Sequence, residues 1–414
     1  MNGLDSRETA PRWSIIGPGL VVAATGVGAG DIVAALVAGQ RYGLTFIWAI
    51  ALGVVLKFAL NEGVGRYTLG TGHTMLEGIH SLGRWASGYF GVYTLVWGFI
   101  YGAAATSSCA LALSALMPAV PFWVWAVLSA LLGCVLVLTN SYQRFEHLIS
   151  FLVGLMFITV VGSAILVVPD LADIIGTGLP TLPEGSLLYA LGLIGGVGGS
   201  ITMASYGYWL IEKGWNHHRY LRVMRQDSLS AYVITGIFSL AILVMGAAVL
   251  YGTDVEISGD QGLVVFASQL GNQLHPVIRY GFLIGFWAAA FTSVLGVWNG
   301  VSYLWADFVR LMKGRTDLAP EAIKHTSSYT FYVLWLTFPP MLLHLIGKPV
   351  MLVIVYGALG AIFMPFLAIV LMVLLNANRV ERAYRSHTLS NSVLAASVLL
   401  FAVLAVNELT DMLG

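Results

Sequence analysis

Asp31 directly follows the glycine run Gly26-Val27-Gly28-Ala29-Gly30, inside a stretch apolar enough to cross a bilayer. Glycine costs about 1 kcal/mol against alanine in a helix interior, so such a cluster reads as a deliberate break. A break in a membrane helix frees backbone carbonyls, and it is tolerated only where protein or a polar cavity satisfies them. Carbonyl and carboxylate oxygens together suit hard cations such as magnesium or manganese. Asp31 therefore reads as a substrate or ion ligand, or as a cap on the half-helix after the break; the two roles are compatible.

A second run, Gly195-Gly196-Val197-Gly198-Gly199, interrupts another apolar stretch and leads into Ser200-Ile201-Thr202-Met203. Hydroxyls there can satisfy released backbone groups, and a thioether is a soft donor that favours transition metals over magnesium or calcium. Among 13 methionines, packing is the ordinary role of any one; the place beside the break singles out Met203. Lys57, Asn61 and Glu62 lie in the second apolar stretch. Charge inside a membrane is costly enough to be a functional hypothesis in each instance. Lys57 and Asn61, spaced i, i+4, share a face. They and Glu62 read either as an ion pair tying this helix to a neighbour or as a coupling group, with Lys57 neutralising Asp31 or standing in for a co-transported cation. Thr106-Ser107-Ser108, Thr292-Ser293 and Trp298-Asn299 read mainly as helix–helix hydrogen bonding.

The elements that must position these residues are membrane spans. The chain is 58% hydrophobic and 10% charged with a mean hydropathy of +0.84, against roughly 25% charged residues in a soluble domain, which excludes a single soluble core. Reading for stretches of about 20 apolar residues places about eleven spans, near 14–40, 43–68, 88–115, 121–139, 146–168, 187–211, 228–251, 276–306, 327–347, 349–376 and 389–408. Residues 1–13 then form a polar N-terminal tail and 377–414 an eleventh helix with the C-terminus. The breaks fall in the first and sixth spans, one in each half of the chain, the pattern of a secondary transporter built from inverted repeats with its site at the midplane. With a cytoplasmic N-terminus, 16 of the 20 Lys and Arg fall on inner segments, as the positive-inside rule requires, and the C-terminus lies outside. This fits an integral protein of a bacterial inner membrane whose surroundings are the lipid bilayer.

Cys109 and Cys134 both sit in apolar segments and read as packed thiols. There is no basic tail to suggest a nucleic-acid partner. No His-Glu-x-x-His and no serine elbow suggests an enzyme, and no bound cofactor is expected. One acidic residue at the breaks, rather than a ring, argues against a channel.

Gly17-Pro18-Gly19 opening the first span, the broken first and sixth helices, Met203 after the second break and Met364-Pro365-Phe366 in the tenth span together resemble the Nramp family of divalent-metal transporters. The likeness covers nearly the whole chain. It implies an all-α polytopic protein with a LeuT-type fold: a 5+5 inverted repeat over about 14–168 and 187–376, plus the extra eleventh helix. The family motif Asp-Pro-Gly-Asn corresponds to Gly28-Ala29-Gly30-Asp31, so its metal-binding aspartate position is Gly28 and Asp31 takes the asparagine position. Its Met-Pro-His corresponds to Met203-Ala204-Ser205, and Ser200 falls where the family supplies a backbone carbonyl. The third span holds no Asp, Glu, Lys, Arg or His and the ninth no arginine, so family-type proton coupling is not expected. The pattern also resembles the Nramp-related magnesium transporters. The resemblance implies a divalent cation as substrate, moved by alternating access, with a small organic substrate such as an amino acid or amine as the alternative.

Overall fold

The computed structural model describes residues 17–139, 141–167, 181–196, 198–253, 262–315, 319–346, 349–378 and 380–413. The tail 1–13 and the acidic residues Asp170, Asp173, Asp254, Glu256 and Asp260 between the expected spans lie outside the described residues.

The first span consists of α1 (Pro18–Gly26) and α2 (Ala29–Tyr42), bent by 58° at the break. The second is α3 (Ile47–Thr71), followed by the short connecting α4 (Met75–Ser81); α5 (Arg84–Leu116) and α6 (Phe122–Thr139) are the third and fourth. The fifth runs from α7 (Tyr142–Met156) through a π-helical turn at Phe157–Val161 into α8 (Gly162–Val167). The sixth is broken, with α9 (Leu187–Gly196) ending before a 3-10 turn at Ile201–Ser205 and α10 (Tyr206–Glu212). Then come α11 (Leu221–Leu250), the connecting α12 (Gly262–Gln273), α13 (Pro276–Met312), α14 (Ser327–Thr337), α15 (Pro349–Asn376) and α16 (Thr388–Leu413). Seven helical stretches are singly long and apolar enough to cross a membrane, and the bent first pair makes an eighth. The broken sixth span, the short ninth and the 28-residue α15 complete eleven among the described residues.

The ninth span departs from the expected 327–347. Helix α14 stops at Thr337 and the chain continues as a 3-10 run, Pro339–Ile346, because Pro339 and Pro340 have no N–H for an α-helical ladder. The eighth span also outruns its expected limit at 306, since α13 continues to Met312 and holds Asp307 and Arg310 inside the protein. Charged residues mark a membrane exit only when nothing inside the fold pairs with them.

Burial identifies the centre. In α13 the most apolar window is 83% buried, against 28% in α16, which is peripheral. Helix α13 packs against α1, α5, α6, α7 and α14, while α11 lies along α1, α2 and α3. Outward side chains such as Ile158, Leu389 and Leu399 are exposed and apolar, a surface suited to lipid rather than water.

Candidate functional site

The two breaks meet. Gly199 N–H donates to the Gly26 carbonyl at 3.2 Å, so irregular backbone from the two halves of the chain is joined at the centre of the bundle. Gly198 and Gly199 have φ of +66° and +74°, a region in which side chains with a Cβ are strained. Each run is longer than its break. Gly30 lies in the first turn of α2, and Gly195 and Gly196 are the last two residues of α9, so the first helix is interrupted only at Val27 and Gly28. The reason is local: the Gly28 N–H donates to Asp31 Oδ2 at 2.9 Å, a cap that starts α2 at once.

Backbone groups released by the first break find partners on α13. Ser293 Oγ lies 3.0 Å from both the Thr25 and Val27 carbonyls, and Thr292 Oγ1 lies 3.1 Å from the Ala24 carbonyl. These hydroxyls therefore bind the break itself, a more particular role than generic helix–helix contact.

Asp31 is half-buried on the first-span side of this junction. An atom at the Cβ position of Gly28 would lie 2.9 Å from the Tyr356 hydroxyl and 3.7 Å from Asp31 Oδ2, which places the tenth-span tyrosine beside the carboxylate. Tyr356 packs edge-to-face on Tyr101, itself stacked on Trp97. From the sixth-span side, Met203 is fully buried in the 3-10 turn; a Cβ on Gly199 would stand 3.8 Å from its Cγ and 3.7 Å from the Gly26 Cα. Ser200 faces Gly360 of α15, where a Cβ would lie 3.3 Å from Ser200 Oγ. The junction thus gathers Asp31, Gly28, Ser200 and Met203. Among the described residues no group of three or more His, Cys, Asp and Glu could hold a metal, so a cation here would draw on one carboxylate together with carbonyl, hydroxyl and thioether donors.

Lys57 and Glu62 do not act as one pair. Five residues apart on a helix, they point about 140° from each other. Lys57 Nζ, 1% exposed, donates to the Gly199 carbonyl in the second break and lies 5.5 Å from the centre of the Phe401 ring. Glu62 pairs with Arg66 at 3.2 Å and with Arg225 of α11 at 2.8 Å, tying the second span to the seventh. Asn61 Nδ2 donates to Ser228 Oγ at 2.9 Å. Cys109 and Cys134 are buried free thiols.

Three polar features escaped the sequence reading. Asp227 of α11, 1% exposed, accepts from the Gly19 N–H at 2.6 Å and the Tyr206 hydroxyl at 3.0 Å. A Cβ on Gly19 would lie 2.7 Å from two Asp227 oxygens, which gives Gly17-Pro18-Gly19 a steric reason. His344, in the 3-10 run, has its ring nitrogens 3.1 Å from Thr106 Oγ1 and 3.3 Å from Ser107 Oγ; the ninth span does bring one titratable group to the third. Finally, Asp307 accepts from Thr74, Tyr208 and Arg310, and Arg310 also donates to Glu77 Oε1 at 2.6 Å. This clasp joins α4, α10 and α13. The i, i+3 spacing of Asp307 and Arg310 was its signal in the sequence.

Glu77 lies in the connection outside the spans. Burial opposes its ionisation, but hydrogen bonds from Arg310 and the Thr74 N–H outweigh burial and hold the carboxyl below its usual range. A carboxyl lowered in the folded state stabilises the fold above its unfolded pKa and loses that contribution as pH falls through the folded value. Unfolding melts are therefore expected to show lower stability of the wild type on acidification below about pH 4.5, with a shallower acid limb in Glu77→Gln; identical acid limbs would exclude Glu77 from the clasp's energetics.

A family model, Nramp (natural resistance-associated macrophage protein-like), matches residues 19–411. An uncharacterized protein of Pasteurella multocida (strain Pm70) is 25% identical over 334 residues, covering 75% of this chain and 74% of that protein. The divalent metal cation transporter MntH of Chromohalobacter salexigens is 26% identical over 280 residues, covering 61% of this chain and 62% of that protein. Among solved structures, the Eremococcus coleocola manganese transporter, in complex with an aromatic bis-isothiourea substituted compound, superposes with a TM-score of 0.77 at 14% identity over 97% of this chain and 87% of that chain. At that identity the likeness shows the fold alone, and the fold is the LeuT-type arrangement of broken first and sixth spans. With the family model covering nearly its whole length, this integral membrane protein belongs to the Nramp family.

Proposed function

We propose that the protein is a secondary transporter that moves a divalent metal cation across the membrane by alternating access, without obligatory proton co-transport. The observation that carries this reading is the placement of Asp31: a half-buried carboxylate fixed by the Gly28 N–H at the point where the two broken spans touch. Gly28, Ser200 and Met203 stand at the same junction and supply the remaining oxygen and sulfur donors. The name of the Chromohalobacter relative supports the cation as cargo. Residues 88–115 of the third span hold no acidic or basic side chain, which supports transport uncoupled from protons. The lysine and arginine distribution supports a cytoplasmic N-terminus, an external C-terminus and residence in a bacterial inner membrane.

Ligand-induced thermal stabilisation tests the reading, because a ligand at 100 times its Kd stabilises the native state by about 2.7 kcal/mol. Manganese is expected to raise the Tm of the purified protein, and amino acids to leave it unchanged. Met203→Ala is expected to weaken manganese or cadmium more than magnesium, in line with donor softness; an equal loss for hard and soft ions would return Met203 to packing. The alternative reading, a small organic substrate such as an amino acid or amine, is favoured by one observation: Lys57 at the second break and Asp31 at the first carry opposite charges, so the junction as a whole is formally neutral. Stabilisation by an amino acid with manganese silent would select that alternative.

A further inference from the structure

Lys57 is an ammonium seated at the second break with, among the described residues, no carboxylate in contact. It is 1% exposed, midway along α3, and its donor goes to the Gly199 carbonyl, which the second break leaves free of helical pairing. Its other neighbour is the face of the Phe401 ring. Among the described residues no ion pair within 4.0 Å includes Lys57 or Asp31, but the two are joined through the junction: Lys57 holds Gly199, Gly199 bonds Gly26, and two residues on the Gly28 N–H holds Asp31. Burial of an ammonium is costly unless its charge is met, and here a carbonyl dipole, a ring face and a carboxylate at a distance share that task.

We propose that Lys57 sets the charge the site will hold: it is a tethered cation seated in the second break, and an incoming metal ion takes Asp31 in exchange for Lys57's share of that carboxylate. This deepens the proposed function and rests on it. The geometry contains both ends of the exchange. The ammonium occupies a freed carbonyl beside Ser200 and Met203, where the charge of an entering cation repels it. Asn61 Oδ1, one turn further along α3 on the same face, is buried and accepts no hydrogen bond among the described residues, an acceptor onto which the ammonium can swing. Lys57 thereby keeps the empty site near neutral and holds metal affinity low, which favours release on the far side. At an effective dielectric of about 20 to 40, a unit charge within about 10 Å of a divalent ion changes the affinity for that ion by at least about tenfold.

The test is equilibrium binding of manganese to monodisperse purified wild type, Lys57→Gln, Lys57→Met and Lys57→Arg. Glutamine removes the charge and keeps an N–H donor, one bond shorter than lysine, on the side of the Gly199 carbonyl; methionine is the second neutral variant should glutamine fail to fold. Both neutral variants are expected to bind manganese and magnesium at least about tenfold more tightly than wild type, and arginine is expected to keep wild-type affinity. Wild-type binding with neutral variants no tighter would overturn the inference and leave the cation reading standing. No manganese binding by any of the four would overturn both.

Discussion

Asp31→Asn is expected to lower metal flux in proteoliposomes by about 100-fold or more while leaving the folded yield nearly unchanged. Asparagine has nearly the volume of aspartate, and its side-chain oxygen can still accept from the Gly28 N–H that caps α2. Asp31 sits at the third position of α2, not at the N-cap, so the variant keeps the neutral part of this capping bond and loses only the charge's interaction with the helix N-terminus, roughly 0.3–1 kcal/mol. Charge is what changes. Among the described residues Asp31 is the single carboxylate at the junction of the two breaks, and a divalent ion a few Å from a unit charge at an effective dielectric of about 20 gains several kcal/mol from it. Transport that survives in the variant would remove Asp31 from the site and leave it as a cap.

Gly26→Ala is expected to abolish transport and to lower stability by about 3 kcal/mol or more, at or above the upper end of the usual cost of overpacking. A Cβ at this position would overlap the backbone of Gly198 and Gly199. Backbone cannot yield as the tip of a flexible side chain can, and Gly199 is held there by its hydrogen bond to the Gly26 carbonyl. Gly192→Ala, about one turn before the end of α9 with open space around its Cβ position, is the control and should gain the roughly 1 kcal/mol that alanine brings to a helix. Denaturation melts and uptake measured on both variants check the pair; equal tolerance would mean that the two breaks need not touch.

Local pattern made the spans and the breaks legible. Apolar runs of about 20 residues specify membrane helices because lipid permits little else, and the glycine clusters disclosed the interruptions because a helix has no use for them. The sequence could not say how much of each run was break. Asp31 caps α2 so early that Gly30 is drawn into the helix, and Gly195 and Gly196 remain inside α9. It could not assign partners either. Lys57 and Glu62 lie close in the chain, but helix geometry turns them apart, one to the Gly199 carbonyl and the other to Arg225. Asp227, Asp307 and His344 were passed over for a related reason: each sits near the end of an apolar run and looks solvated until a distant segment covers it. The glycine breaks had already singled out Asp31 and Met203; only three-dimensional packing showed that the breaks beside them touch, Gly199 on Gly26.

The most direct test of the account is manganese uptake into proteoliposomes at a clamped membrane potential, with luminal pH followed at the same time. Negative-inside potential should drive uptake, since each charge gains about 2.3 kcal/mol per 100 mV. Uptake is expected to be saturable and lost in Asp31→Asn, with no luminal acidification and no acceleration by an inward proton gradient at fixed potential. Uptake no faster than in protein-free vesicles would contradict the cation as substrate, and manganese-dependent acidification of the lumen would contradict uncoupled transport.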